Sequence, residues 1–127
     1  MPEISLGVPK GVVESLPEED GTAERDMRRA IVGIQSRLNE EIADASPTEA
    51  ASVAVDAIER MEEQASTYHE FVPELRAWGQ SPIYAIAWRN LYLELIGQLY
   101  EHEWLTDEID RERNFRLVDD GIRLSDL

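Results

Sequence analysis

The side chains that most invite chemistry are two histidines, His69 in TYHEF and His102 in YEHEW. Each sits between aromatic and acidic residues, a setting that suggests a metal site. A helical chelate needs a second ligand three or four residues away, because only those positions share a face. His69 has Ala65 and Pro73 at four residues, and Ser66 and Val72 at three. His102 has Gln98 and Thr106 at four, and Leu99 and Leu105 at three. Glu101 and Glu103 point about 100° to either side of His102. The paired Glu-x-x-His motif of di-iron bundles is absent from the sequence. His102 falls instead in the apolar arc of Leu91, Leu95 and Leu99, as a structural, partly buried histidine whose contacts burial can make pH-sensitive.

Other catalytic constellations fail for equally plain reasons. With no Cys there is no thiol nucleophile, thiolate metal site or disulfide. Serines fall mainly at helix caps and in loops, and the seven glycines are scattered rather than gathered into a phosphate loop. Glu40-Glu41 and Glu62-Glu63 are adjacent in sequence, so they diverge on a helix. The reading is therefore non-enzymatic, with no catalytic residues, cofactor or metal expected. A small metal-dependent enzyme, with ligands gathered across helices, stands third among the functional readings.

A chain of 127 residues suffices for one domain with a modest core. Its 27 acidic residues outnumber 12 basic ones, for a formal net charge of -15. Such a surplus repels nucleic-acid backbones, so no direct nucleic-acid binding is expected. Eleven of the 12 basic residues are Arg, and Lys10 is the single Lys. Acid excess with almost no Lys predicts a halophilic protein, made for a high-salt cytoplasm where screening shortens repulsion to a few Å. A GC-rich genome would explain Arg over Lys but not the acid excess. The first residues, MPEISLGVPKG, lack a signal-peptide pattern. The most apolar run, 83–100, is broken by Arg89, Asn90, Glu94 and Gln98, so no membrane span is expected. The expected location is the cytoplasm, or a particle assembled there.

Hydrophobic periodicity predicts a mainly α fold: a three-helix up-down bundle over 22–113, with short β or extended segments at both termini. Residues 1–21 form an extended arm or short β element, in which Ile4, Leu6 and Val8 alternate with Ser5 and Gly7. Val12 to Leu16 fits a return strand or one helical turn. The first long helix runs from about Thr22 to Ala45, with Met27, Ile31, Ile34, Leu38 and Ile42 as a narrow apolar stripe. Glu24–Arg28 and Arg37–Glu41 are favourable i,i+4 pairs, and Arg25, Arg28 and Arg29 form a basic patch. The second helix opens on Ser46-Pro47-Thr48-Glu49, a capping box with Pro at the first helical position. Its buried side is Ala-rich, and Pro73 is expected to end or kink it. The third opens at Ser81-Pro82 and runs at least to Trp104, with a restart near Thr106. Residues 114–127 read as a β-hairpin or tail, turning at Asp120-Gly121.

Within YAIAWRNLYLELIGQLYEHEW, Tyr84, Trp88, Tyr92, Tyr100 and Trp104 recur at multiples of four, with Ile96 in the gap. Each step of four drifts about 40°, so the row spirals rather than forming one face. With Ile83, Ala87, Leu91, Leu95 and Leu99 beside it, the apolar arc is wider than a surface helix needs. Either this helix is the centre of the domain, or its aromatic part meets another chain, as Tyr and Trp favour. The five aromatics are accordingly candidate interface residues. The sequence points to a non-enzymatic structural or assembly protein whose partners are itself, as a homo-oligomer, and other assembly proteins. A virion or connector subunit from a virus of a halophile is one concrete setting. The alternative is an acidic regulatory protein binding a basic partner, as a nucleic-acid mimic does; Arg residues at 25–29 and 111–123 interrupt the carboxylate array that a mimic needs.

If the charge surplus is an adaptation to salt, the melting temperature rises from low salt to multimolar KCl. Thermal melts followed by circular dichroism check this, and equal stability in both would refute it.

Overall fold

The computed structural model describes residues 3–17 and 21–119. It is mainly helical: α1 (Lys10–Glu14), α2 (Thr22–Ile42), α3 (Pro47–Ala77), α4 (Ile83–Tyr100) and α5 (Glu103–Asp119). No strand occurs among the described residues. Residues 3–9 are extended but pair with no strand, and Val12 lies in a single helical turn, α1, rather than in a return strand.

The local signals explain most boundaries. Gly21 precedes α2 with φ 74, the left-handed region that favours glycine. Met27, Ile31, Leu38 and Ile42 are buried as the stripe requires. At the start of α3 the Glu49 amide donates to Ser46 Oγ at 3.2 Å, and Pro47 stands where a missing N–H costs nothing. Pro73 does not end this helix, which continues to Ala77. Pro73 and His69, four residues upstream, both face water, so the carbonyl released by the missing N–H can be hydrated. The true stop is Gly79, at φ 74. The Gln80 amide donates to the Leu75 carbonyl at 2.9 Å and the Gly79 amide to the Arg76 carbonyl at 3.1 Å, a Schellman closure.

The expected third helix is two helices, with the break at Glu101-His102 rather than at Thr106. Thr106 instead secures it. Its hydroxyl donates toward the Tyr100 carbonyl at 2.7 Å and lies 3.0 Å from the His102 carbonyl. After the turn α5 packs against α3 and buries Leu105 and Ile109. It also makes α3 the central helix. α3 packs extensively against α2, α4 and α5, whereas α4 packs mainly against α3, α5 and α1. Ala50, Ala51, Ala54 and Ala57 are buried along α3, and small side chains there permit close helix approach. Leu91, Leu95 and Leu99 form the inner row of α4, each fully buried and stabilising by about 1.5–3 kcal/mol.

The first part of the expected C-terminal hairpin, residues 114–119, lies in α5. Its turn at Asp120-Gly121 and second strand lie outside the described residues. Helical spacing wins because it points Arg113 and Arg116 together at α3. Arg113 lies 3.3 Å from Glu62. Arg116 lies 2.8 Å from Asp56 and 3.2 Å from Glu59 on α3, and 2.9 Å from Glu112 on its own helix. It also donates to the Ser52 carbonyl and hydroxyl at 3.1 and 3.0 Å. Burial alone would lower the Arg116 pKa, but hydrogen bonds to Glu112 and Asp56 and the charges of Asp56 and Glu59 raise it. The apolar residues that suggested strands, Phe115, Leu117 and Val118, are left exposed.

Replacing Arg116 with Met should destabilise the fold by about 1–2 kcal/mol, since water partly screens these carboxylates. Urea unfolding measures the loss, and hydrogen exchange should speed first in α5. Unchanged exchange there would show that the lock is not what holds α5.

Candidate functional site

The most elaborate polar arrangement in the described structure surrounds residues 4–7. This segment is extended, and its even-numbered side chains, Ile4 and Leu6, are buried. Burial strips water from a backbone that has neither helix nor sheet to bond it, so its amides and carbonyls need other partners. Side chains supply them. The Ile4 amide donates to Asn39 Oδ1 at 2.7 Å, and Asn39 Nδ2 donates to the Ile4 carbonyl at 2.9 Å. The Gly7 amide donates to Gln98 Oε1 at 2.7 Å, and Gln98 Nε2 donates to the Gly7 carbonyl at 2.8 Å. Between these two-point clamps, the Leu6 amide donates to Gln35 Oε1 at 2.7 Å and the Ser5 amide to His102 Nε2 at 3.0 Å.

The pattern follows from two periodicities. Residues 4 and 6 are read from α2, by Asn39 and Gln35. Residues 5 and 7 are read from the α4 side, by His102 and Gln98. Two residues of strand advance about 6.7 Å, and four residues of helix advance about 6 Å. An i,i+4 pair on a helix therefore keeps step with alternate residues of an extended peptide. In both pairs the helix number falls as the arm number rises, so the arm runs antiparallel to α2 and α4 alike. This grip touches backbone atoms only; side-chain preference comes from the pockets under Ile4 and Leu6.

His102 thus has a role, though not a metallic one. Its Nε2 accepts from an amide and so carries no proton, which leaves Nδ1 to donate to the Gln98 carbonyl at 2.9 Å. That second bond fixes the ring beside the very glutamine that clamps Gly7. The Gln98–His102 spacing, useless as a chelate, suits peptide gripping. His69 is exposed, and its Nδ1 lies 3.0 Å from Arg89 Nη1, where it accepts from the guanidinium. No group of three or more metal-ligating side chains occurs among the described residues. No described helix is long and apolar enough to cross a membrane.

The candidate interface aromatics divide. Trp88, Tyr92, Tyr100 and Trp104 are half-buried and pack against their own core, as does Ile96. Trp88 and Tyr92 both stack on Tyr68 of α3, with ring centroids 6.2 and 6.3 Å apart. Burial, with a smaller contribution from Tyr68, raises the Tyr92 pKa and keeps its phenol protonated. Tyr84, at the start of α4, is exposed. Across the α3–α4 turn from it, Trp78 is 64% exposed and meets Phe71 edge-on at 6.1 Å. Sequence spacing within α4 alone could not reveal this second group, because two of its members belong to the end of α3.

Asn39→Leu or Gln98→Leu removes both bonds of one clamp. Asn39→Leu should cost about 1–2 kcal/mol, because it strands part-buried backbone groups, and Gln98→Leu less, because the Gly7 bonds are open to water. Hydrogen exchange should then quicken at amides 4–7 while the buried centre of α3 stays protected. Uniform loss of protection would instead make the arm inseparable from the core.

No curated protein and no solved structure matches the chain. A family model, described as a family of unknown function (DUF7971), matches residues 1–126, and the chain belongs to that family.

Proposed function

We propose that the chain is a non-enzymatic assembly protein that forms a homo-oligomer by exchanging its N-terminal arm. The observation that carries this reading is the clamp. A groove that recognises backbone atoms through Asn39, Gln35, Gln98 and His102 accepts residues 4–7 from its own chain or from a neighbour with the same bonds. Exchange of an identical element is a low-cost route to association, since each bond the arm makes within its own chain is remade in the neighbour. The exposed aromatics Phe71, Trp78 and Tyr84 offer a second contact surface, of the residue types that anchor interfaces. This shifts the expected contact from the length of the aromatic row to the α3–α4 corner, retaining Tyr84. Multimolar salt suits such association, because it screens repulsion between copies each carrying a net charge of -15. A subunit of a particle, such as a virion or its connector in a halophile's virus, is the setting in which arms commonly link neighbours.

The acidic-mimic alternative draws less support. Three carboxylates of α3 that such an array would use, Asp56, Glu59 and Glu62, are paired with Arg116 and Arg113.

Light scattering in multimolar KCl tests the proposal. The full chain should give a discrete mass above one subunit, and Asn39→Leu/Gln98→Leu should shift it toward the monomer while circular dichroism stays helical. A strict monomer at high protein concentration would overturn it.

A further inference from the structure

A second feature lies between α2 and α3, away from the arm. The two helices leave an open cleft of about 530 Å³, lined by Gly33, Arg37 and Leu38 on one wall and Arg60 and Met61 on the other, with Tyr92 also lining it. That volume falls in the usual range for a small-molecule site. Its apolar surface comes from Ile34 and Tyr92 together with Leu38 and Met61, the last two being almost fully buried.

The two arginines set it apart from a packing defect. Arg28, Arg111, Arg113 and Arg116 are paired with carboxylates, whereas Arg25, Arg29, Arg76 and Arg89 form no ion pair among the described residues. Arg37 and Arg60 make no ion pair or hydrogen bond among the described residues, in a chain where acids outnumber bases more than two to one. Carboxylates stand within helical reach of both, Glu40 and Glu41 for Arg37 and Asp56 and Glu63 for Arg60. The expected Arg37–Glu41 pair does not form, and Asp56 is held by Arg116. Two guanidinium groups outside any ion pair therefore flank one cleft from opposite walls. Gly33 keeps that wall low, and it shares its open surroundings with the other described glycines. Glycine inside a helix costs about 1 kcal/mol relative to alanine. Nothing lies within 4 Å of where its Cβ would stand, so no neighbour demands its smallness. What a side chain at position 33 would fill is the cleft.

We infer that this cleft binds a small organic carboxylate with an apolar body, the carboxylate held by Arg37 and Arg60 and the body seated on Leu38 and Met61. Guanidinium groups are the donors best matched to a carboxylate, and an apolar floor selects against inorganic anions, which would leave it wet. Tyr92 keeps its proton and so offers a donor rather than a negative charge.

Isothermal titration of the full chain with octanoate, 1-octanol and acetate tests this at moderate salt. Octanoate should saturate a single site, with the alcohol and acetate weaker by about tenfold or more, as loss of a charge-assisted bond pair or of the apolar contact implies. R37Q/R60Q should bring octanoate down to the affinity of the alcohol. Gly33→Leu should abolish binding while raising the melting temperature, a combination that damage to the fold cannot produce. Equal binding of octanoate and octanol, octanoate binding unchanged in R37Q/R60Q, or no saturation by octanoate would each overturn the inference. None of these outcomes depends on the oligomeric state.

Discussion

An extended peptide buried without a sheet is the constraint on which this fold turns. Ile4 and Leu6 enter the core, and their backbone cannot follow them unless each polar group finds a partner. A sheet would solve the problem with a neighbouring strand. This chain solves it with four polar side chains from two helices, Asn39, Gln35, Gln98 and His102. The solution has consequences for the helices themselves. α2 must present residues 35 and 39 to the arm, α4 must present residue 98, and the break after α4 must present residue 102. The rotation of both helices about their axes is thereby fixed, and with it the faces left for packing and for solvent. The break at Glu101-His102 belongs to the same arrangement, since His102 both caps the start of α5 and holds Ser5.

Charge is the second organising influence. With so large an acidic surplus, arginines are scarce counterions, and four of the described ones stand against carboxylates. Two of them, Arg113 and Arg116, are placed where α5 crosses the acidic face of α3. Without them, α5 would bring Glu112 toward Asp56 and Glu59, three carboxylates with no cation between. The apolar contribution of Leu105 and Ile109 would then oppose like-charge repulsion along the same interface. The arginines convert that liability into a directional lock, which is why the tail of α5 stays helical despite its alternating apolar residues.

How much of this was legible in the sequence depends on whether a signal was local. The α2 stripe, the Ser46-Pro47 cap of α3 and the Glu24–Arg28 and Glu112–Arg116 pairs are local, and the structure contains each of them. Pro73 misled because the rule against helical proline assumes a buried carbonyl upstream, and His69 is exposed. The hairpin expectation failed over 114–119 because alternation was weighed without the carboxylates of α3, which are distant in sequence. The clamp was invisible for a related reason. Gln35 and Asn39 look like ordinary surface residues of an amphipathic helix, and Gln98 and His102 interrupt an apolar arc for no local purpose. Only the arm gives them one, and it lies 29 to 97 residues away. The alternation of Ile4, Leu6 and Val8 was visible, but nothing in it says that its backbone partners are side chains.

The clamp and the cleft meet on one helix. α2 gives Gln35 and Asn39 to the arm and Gly33, Arg37 and Leu38 to the cleft, so the two sets interleave along less than two turns. Leu38 stands between them, fully buried and flanked by Arg37 on one side and Asn39 on the other. Any displacement of α2 that widens the cleft must also move the amides that grip the arm, because a helix transmits rotation and translation as a nearly rigid body. By thermodynamic reciprocity, whatever one site contributes to the other's occupancy is returned in equal measure. α2, buried along one stripe, thus carries both the residues that hold the arm and one wall of the cleft.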